Sequence, residues 1–298
     1  MFRTLHIGYV LFILYNVCES QSTEKLTKLP KECGIMITDD KITNGEKATL
    51  GQFPFMVLLG YTRKVFQEAV IQFICGGTII NEYYVLTAAH CFRSSLTFIR
   101  LGELDTRNKT DCEELNGFKH CADPFVDISI AKKIIHANYN PRNFRNDIAL
   151  VKASNKMRFT DFIQPICLPL NFGNNLANSM LTVSGWGTTT SSNTIPSSIL
   201  QYAQIGVWET KRCENVLAPE VRPLEETQIC GNGINGQDAC KGDSGGPLFT
   251  VKVAELQPRY FQIGITSFGA TSGCGSKELP SVYTNVAKYI NWIVENIE

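Results

Sequence analysis

Beyond residue 42 the chain is a succession of short apolar or alternating stretches, at 53–59, 77–86, 128–135, 147–151, 181–186, 200–207 and 261–267, set between clusters of Gly, Asn, Pro and Ser. Runs of this length bury one face when they alternate and both faces when they are continuous, and the residues between them are those that turn a chain. Many short strands at close spacing predict an all-β barrel or sandwich. The C-terminus departs from the pattern. Val286, Tyr289, Ile290, Ile293, Val294 and Ile297 recur at helical spacing, which predicts an amphipathic helix docked on the strands. No internal repeat of solenoid period is apparent.

The N-terminal segment reads differently. Arg3 opens a positive stretch, 7–17 is an apolar run, and Cys18 and Ser20 supply small residues before a cut. That is the pattern of a secretory signal peptide over 1–20, the run being shorter than the roughly 20 apolar residues of a membrane anchor, which is the alternative. Residues 21–41 are polar, hold one cysteine, and read as an extended leader, leaving 42–298 as the folded unit.

Composition narrows the function classes. The 298 residues carry 28 basic and 28 acidic side chains, and this zero net charge argues against nucleic acid or an anionic membrane as partner. Eleven cysteines are an odd number. Loss of Cys18 with the signal peptide leaves an even set, suited to an oxidising, extracellular compartment.

Three segments carry candidate chemistry. Thr87-Ala88-Ala89-His90-Cys91 places a histidine after an apolar run. Asn146-Asp147-Ile148-Ala149-Leu150 puts a carboxylate at the edge of a buried strand, where an acid needs a partner. Asp238-Ala239-Cys240-Lys241-Gly242-Asp243-Ser244-Gly245-Gly246-Pro247 surrounds a serine with glycines that let a substrate carbonyl approach main-chain N–H groups. With Ser184-Gly185-Trp186-Gly187, Pro165-Ile166-Cys167-Leu168-Pro169 and Pro280-Ser281-Val282-Tyr283-Thr284, and in the order His, Asp, Ser, the sequence from Ile42 to Glu298 resembles the trypsin-like, chymotrypsin-fold serine endopeptidases.

The resemblance implies two packed six-stranded antiparallel β-barrels with a C-terminal helix. It implies Ser244 as nucleophile, His90 as general base and then acid, Asp147 orienting the imidazole, and the Gly242 and Ser244 N–H groups as oxyanion hole. An imidazole titrates near about pH 6.5, so activity is expected to fall in mild acid. Asp238, six residues before Ser244, implies cleavage after Arg or Lys. Ser281 stands where the family usually has glycine on the pocket wall and narrows it, Phe268 stands where many relatives have Trp, and the run Ser267, Phe268, Gly269 implies main-chain groups for an extended substrate. Lys41-Ile42-Thr43-Asn44-Gly45 resembles an activation site, with the freed Ile42 ammonium pairing with Asp243. Asp39 and Asp40 beside Lys41 imply activation by another protease and slow self-activation, unless they form only a polar turn.

By the same resemblance the cysteines pair as Cys33–Cys167, Cys75–Cys91, Cys112–Cys121, Cys213–Cys230 and Cys240–Cys274. The extra loop at 112–121 is similar to arthropod clip-domain cascade proteases, although 21–41 lacks the cysteines of a clip module. No cofactor is required for the chemistry. Glu103, Asp105 and Asp111 offer hard ligands for a structural calcium ion, the alternative being a solvated acidic loop. Asn108-Lys109-Thr110 is the one glycosylation sequon, and His120 and His136 read as structural or surface residues. Implied partners are a protein substrate cut after Arg or Lys, an upstream activating protease and a serpin-type inhibitor. The reading is a secreted zymogen in an immune or developmental cascade, with a digestive protease or a non-catalytic homologue as alternatives.

Overall fold

A computed structural model of the chain describes residues 26–36, 47–66, 68–170, 176–189, 195–234, 238–269 and 278–298. The signal peptide, the activation segment around Lys41 and Ile42, and Cys274 lie outside them.

The first half supplies β1 (Met56–Val65), β2 (Glu68–Ile79), β3 (Tyr84–Thr87), β4 (Leu96–Leu101), an outlying hairpin of β5 (Cys112–Leu115) and β6 (Phe118–Cys121), then β7 (Val126–Ile135) and β8 (Ala149–Ala153). Six of these close antiparallel in the order β1-β2-β3-β8-β7-β4. The second half supplies β9 (Met180–Gly185), β10 (Gln201–Val207), β11 (Gln228–Gly233), β12 (Pro247–Ala254), β13 (Gln257–Gly269) and β14 (Ser281–Asn285), closed in the order β10-β11-β14-β13-β12-β9. Closure removes sheet edges, so short strands persist without an exposed backbone edge.

The stretch at 77–86 is not one strand: it ends β2, turns, and re-enters as β3. Asn81 makes that turn, its Oδ1 accepting the N–H groups of Tyr83 and Tyr84 at 2.9 and 2.8 Å. Such Asx bonds compete with the sheet ladder. The C-terminal segment starts as a 3-10 turn over Val286–Tyr289 and continues as the helix Ile290–Asn296. Its apolar residues Val286, Tyr289, Ile293, Val294 and Ile297 are buried as the spacing predicts.

Aromatic packing fuses the barrels. Phe53 and Phe55, at the start of the first barrel, meet Phe249 and Tyr260 of the second with ring centroids 5.2–5.8 Å apart and steep interplanar angles. Each edge-to-face pair adds about 1 kcal/mol beyond its area burial. The leader is fastened to the same seam: Cys33 bonds to Cys167, and the Gly34 N–H donates to Pro165 O at 2.7 Å while Gly34 O accepts the Tyr260 N–H at 2.8 Å. The seam fixes residues from opposite halves of the chain relative to one another.

Candidate active site

His90 sits in a single 3-10 turn, Ala89–Cys91, directly after β3. The Cys75–Cys91 disulfide anchors this turn to β2. Asp147 lies just before β8 and is fully buried. Its position follows from Asn146, which takes a left-handed φ of 55° and accepts a hydrogen bond from the Tyr289 hydroxyl at 2.9 Å. The C-terminal segment thus holds the carboxylate in place.

The Asp147 carboxylate meets three donors. Oδ1 accepts the His90 backbone N–H at 2.9 Å, and Oδ2 lies 2.7 Å from His90 Nδ1 and 2.5 Å from the Ser267 hydroxyl, which donates to it. This assigns the proton to Nδ1 and leaves Nε2 as the acceptor on the other side of the ring.

Ser244 comes from the second barrel, and its loop is pressed onto the histidine turn. The Gly76 N–H donates to Ser244 O at 2.8 Å, and the Gly245 N–H to Thr266 O at 2.8 Å. Gly245 has φ 77°, and a Cβ there would meet Gly76 O at 2.6 Å and Cys91 Sγ at 3.1 Å, so only glycine allows this contact. No hydrogen bond joins Ser244 Oγ to His90 Nε2, a looseness common before substrate binds. Among the described residues the Gly242 and Ser244 N–H groups have no protein acceptor. Two adjacent free donors beside a serine can receive a developing oxyanion.

Asp238 and Asp243 both line a cavity of about 130 Å³, together with Val183, Gly185, Gly187 and Thr188 among others; Ser244 and Ser281 do not line it. Among the described residues Asp243 accepts two neutral donors, the Gly187 and Cys240 N–H groups, each at 2.8 Å. Burial pushes its carboxyl up to about 6 against that backbone support, and among the described residues no cation reaches it. A Cβ at Gly187 would fall 2.6 Å from Asp243 Oδ2, so the carboxylate occupies space that a side chain there would fill. Asp238 accepts the Ala239 N–H at 2.8 Å and the Ser281 hydroxyl, which is 3.1 Å from each of its oxygens.

The family model for trypsin matches residues 42–293. This chain belongs to the trypsin family. It is a serine endopeptidase by that membership. The chain is 39% identical over 279 residues to the Spaetzle-processing enzyme of Drosophila melanogaster, a match that covers 89% of this chain and 68% of the relative. It is 37% identical over 292 residues to the Drosophila melanogaster serine protease ea, covering 93% and 72%. The crystal structure of the Drosophila Grass clip serine protease of the Toll pathway superposes with a TM-score of 0.78 at 36% identity, covering 91% of this chain and 77% of that one.

Other residues of this trypsin-family chain are placed as follows. Cys33–Cys167, Cys75–Cys91, Cys112–Cys121 and Cys213–Cys230 are bonded, and Cys240 is also in a disulfide, its expected partner Cys274 lying outside the described residues. Cys112 and Cys121 face each other across the β5–β6 hairpin. Asn108 is exposed. His136 packs between Tyr289 and Trp292, and burial lowers its basicity.

The acidic loop separates into two kinds of carboxylate. Asp105 is clamped by the Arg107 guanidinium at 2.5 Å, which holds its carboxyl below the usual range. Glu103 is buried, bonded through one oxygen to Arg100 at 3.3 Å, while the other oxygen has no partner; burial and the nearby Asp111 charge push its carboxyl up to about 7. An oxygen orphaned beside a second carboxylate fits a hard cation, whereas Asp105 is already paired. Among the described residues the one group of three His, Cys or carboxylate residues with ligand atoms within 4.8 Å of one another is Cys75, His90 and Cys91, whose sulfurs form a disulfide and offer no thiolate; Glu103, Asp105 and Asp111 do not form such a group.

Two site residues escape a reading of the sequence. The Ser267 side chain, which that reading assigns only to main-chain substrate contacts, hydrogen-bonds Asp147 across 120 positions. Phe144 stacks on Phe268 at 4.9 Å and meets the His90 ring edge-on at 6.1 Å, making an aromatic wall beside the histidine. An aromatic three residues before Asp147 is the only signal that could have found it.

Proposed function

We propose that this chain is a secreted zymogen which, once cut after Lys41, hydrolyses peptide bonds following Arg or Lys and acts by limited proteolysis in an extracellular cascade. The observation that carries this reading is the pair of carboxylates that line one cavity: Asp238, and Asp243 buried with no cation reaching it among the described residues. An uncompensated buried charge is costly and is kept where a partner arrives later. The Ile42 ammonium is that partner. It replaces two weak donors with an ion pair, and the loop holding Gly242 and Ser244 moves with it. Asp238 then selects a cationic side chain in the substrate.

His90 takes the proton of the Ser244 hydroxyl through Nε2 and returns it to the leaving amine, while Asp147 stabilises the imidazolium. The Gly242 and Ser244 N–H groups bind the oxyanion, each worth about 3 kcal/mol in the transition state. Glu103 and Asp111 are proposed to hold a structural calcium ion, which offsets their mutual repulsion. Relatives named as a Spaetzle-processing enzyme and as a protease of the Toll pathway support the cascade role, and the disulfides support an oxidising compartment.

The test is to treat the purified chain with a protease that cuts after Lys41, and to follow Ser244 labelling by a fluorophosphonate alongside cleavage of a peptide library. Labelling that rises at least about a hundredfold on cutting, with products ending in Arg or Lys, is the expected result. Equal labelling before and after the cut, or products ending in other residues, would refute it.

A further inference from the structure

The inference rests on the reading of Asp238 as the group that binds a basic side chain. The Ser281 hydroxyl stands 3.1 Å from both oxygens of the Asp238 carboxylate, so it lies over the edge between them and not to one side of the group. Ser281 opens β14 and is 5% exposed, paired through its backbone with Gly231 on one side and Gly269 on the other. Backbone on both flanks fixes where the hydroxyl points. A Cβ at Gly269 would come within 3.4 Å of Ser281 Oγ, which places the hydroxyl inside the slot between the two strands.

A guanidinium binds a carboxylate best with two parallel N–H···O bonds along that same edge. Arginine must therefore displace the Ser281 hydroxyl or give up one of its two bonds. Lysine has no such conflict. Its ammonium is a compact charge with three rotatable donors, able to give one to a carboxylate oxygen and another to Ser281 Oγ, whose own proton stays on Asp238. The lysine side chain is also shorter, which suits a floor raised by one hydroxyl.

We propose that Ser281 makes this enzyme prefer lysine over arginine on the N-terminal side of the bond it cuts. The hydroxyl acts as an adaptor, converting a two-pronged carboxylate into a site for a point charge.

The experiment uses the full chain activated by cutting after Lys41, with active molecules counted by fluorophosphonate labelling. Paired peptide substrates differ only in Lys, Arg or Leu before the scissile bond. The expected kcat/KM for Lys exceeds that for Arg about tenfold, the worth of one charge-assisted hydrogen bond. In Ser281→Gly the ratio falls to one or below. Ser281→Ala keeps part of the bulk without the acceptor and falls between. An arginine preference in the wild-type enzyme, equal rates, or a lysine preference that survives in both variants overturns the inference and leaves the basic-residue reading intact. Cleavage after Leu and after neither cation overturns that reading, and the inference with it.

Discussion

Asp147 and Asp243 are both withdrawn from water, at 0% and 8% exposure, on either side of the same serine. Asp147 has two donors from His90 and one from Ser267, all within 2.9 Å. Asp243 has two backbone N–H groups and an adjoining cavity. The first carboxylate is completed by its own fold and can orient a neighbour. The second carries a buried charge that no cation among the described residues answers, which suits a group that waits for a partner. Burial alone therefore does not distinguish the two acids; the identity of their donors does.

The largest expected effect comes from making the completed carboxylate incomplete. Asp147→Asn keeps the shape but sets an amide N–H against His90 or Ser267, so the imidazole is driven to the wrong tautomer. A loss of kcat/KM on the order of 10⁴-fold, with little change in thermal midpoint, is the outcome in keeping with a positioning role. A drop below about tenfold in the activated enzyme would place Asp147 outside the chemistry and break the comparison.

Asp243→Asn should act with opposite signs on the two forms of the chain. In the uncut form the carboxyl titrates near about 6, above its ordinary value, so folding favours the protonated group. Its stabilising contribution is present below about pH 4 and is lost as pH rises through 6, a cost of about 3 kcal/mol by pH 8. The asparagine variant escapes that cost, less the penalty of facing an amide N–H toward a backbone donor. Urea unfolding of the uncut chain at pH 5 and pH 8 should show the variant more stable only at the higher pH. After cutting, the same variant should lose activity by a hundredfold or more, because the new ammonium is left buried without its counter-ion, a loss of about 3–5 kcal/mol. Equal stability of wild type and variant at both pH values would mean Asp243 is already compensated.

The sequence makes the acids visible and hides what surrounds them. Asp147, Asp238 and Asp243 sit in local motifs, so their candidacy is legible within a few residues. Ser267 on Asp147, and Ser281 on both oxygens of Asp238, are contacts across 120 and 43 positions that no local pattern encodes. The strands divide likewise. The runs at β8 and β10 show their apolar content directly, whereas β11 (QICGNG) and β14 (SVYTN) are rich in Gly, Asn, Ser and Thr. β11 holds its place between β10 and β14, and β14 between β11 and β13. Their strand character is supplied by barrel closure, which overrides weak propensity. In the acidic loop, three carboxylates look alike in sequence, and only the fold shows that Arg107 has taken Asp105 while Glu103 keeps an orphaned oxygen.

The smallest effect is the sharpest test of how completely Asp147 is satisfied. Ser267→Ala removes the 2.5 Å bond to Oδ2 and leaves both His90 donors in place. A hydrogen bond to a charged group contributes about 1.5–3 kcal/mol, and the site keeps two of its three donors, so the loss should lie at the low end, about tenfold in kcat/KM. Because the Ser267 hydroxyl also competes with Nδ1–H for the same oxygen, its removal should tighten the His90–Asp147 bond. A loss as large as that of Asp147→Asn would mean the carboxylate depends on each donor separately, as Asp243 depends on its two, and the contrast between a completed acid and a waiting one would no longer hold.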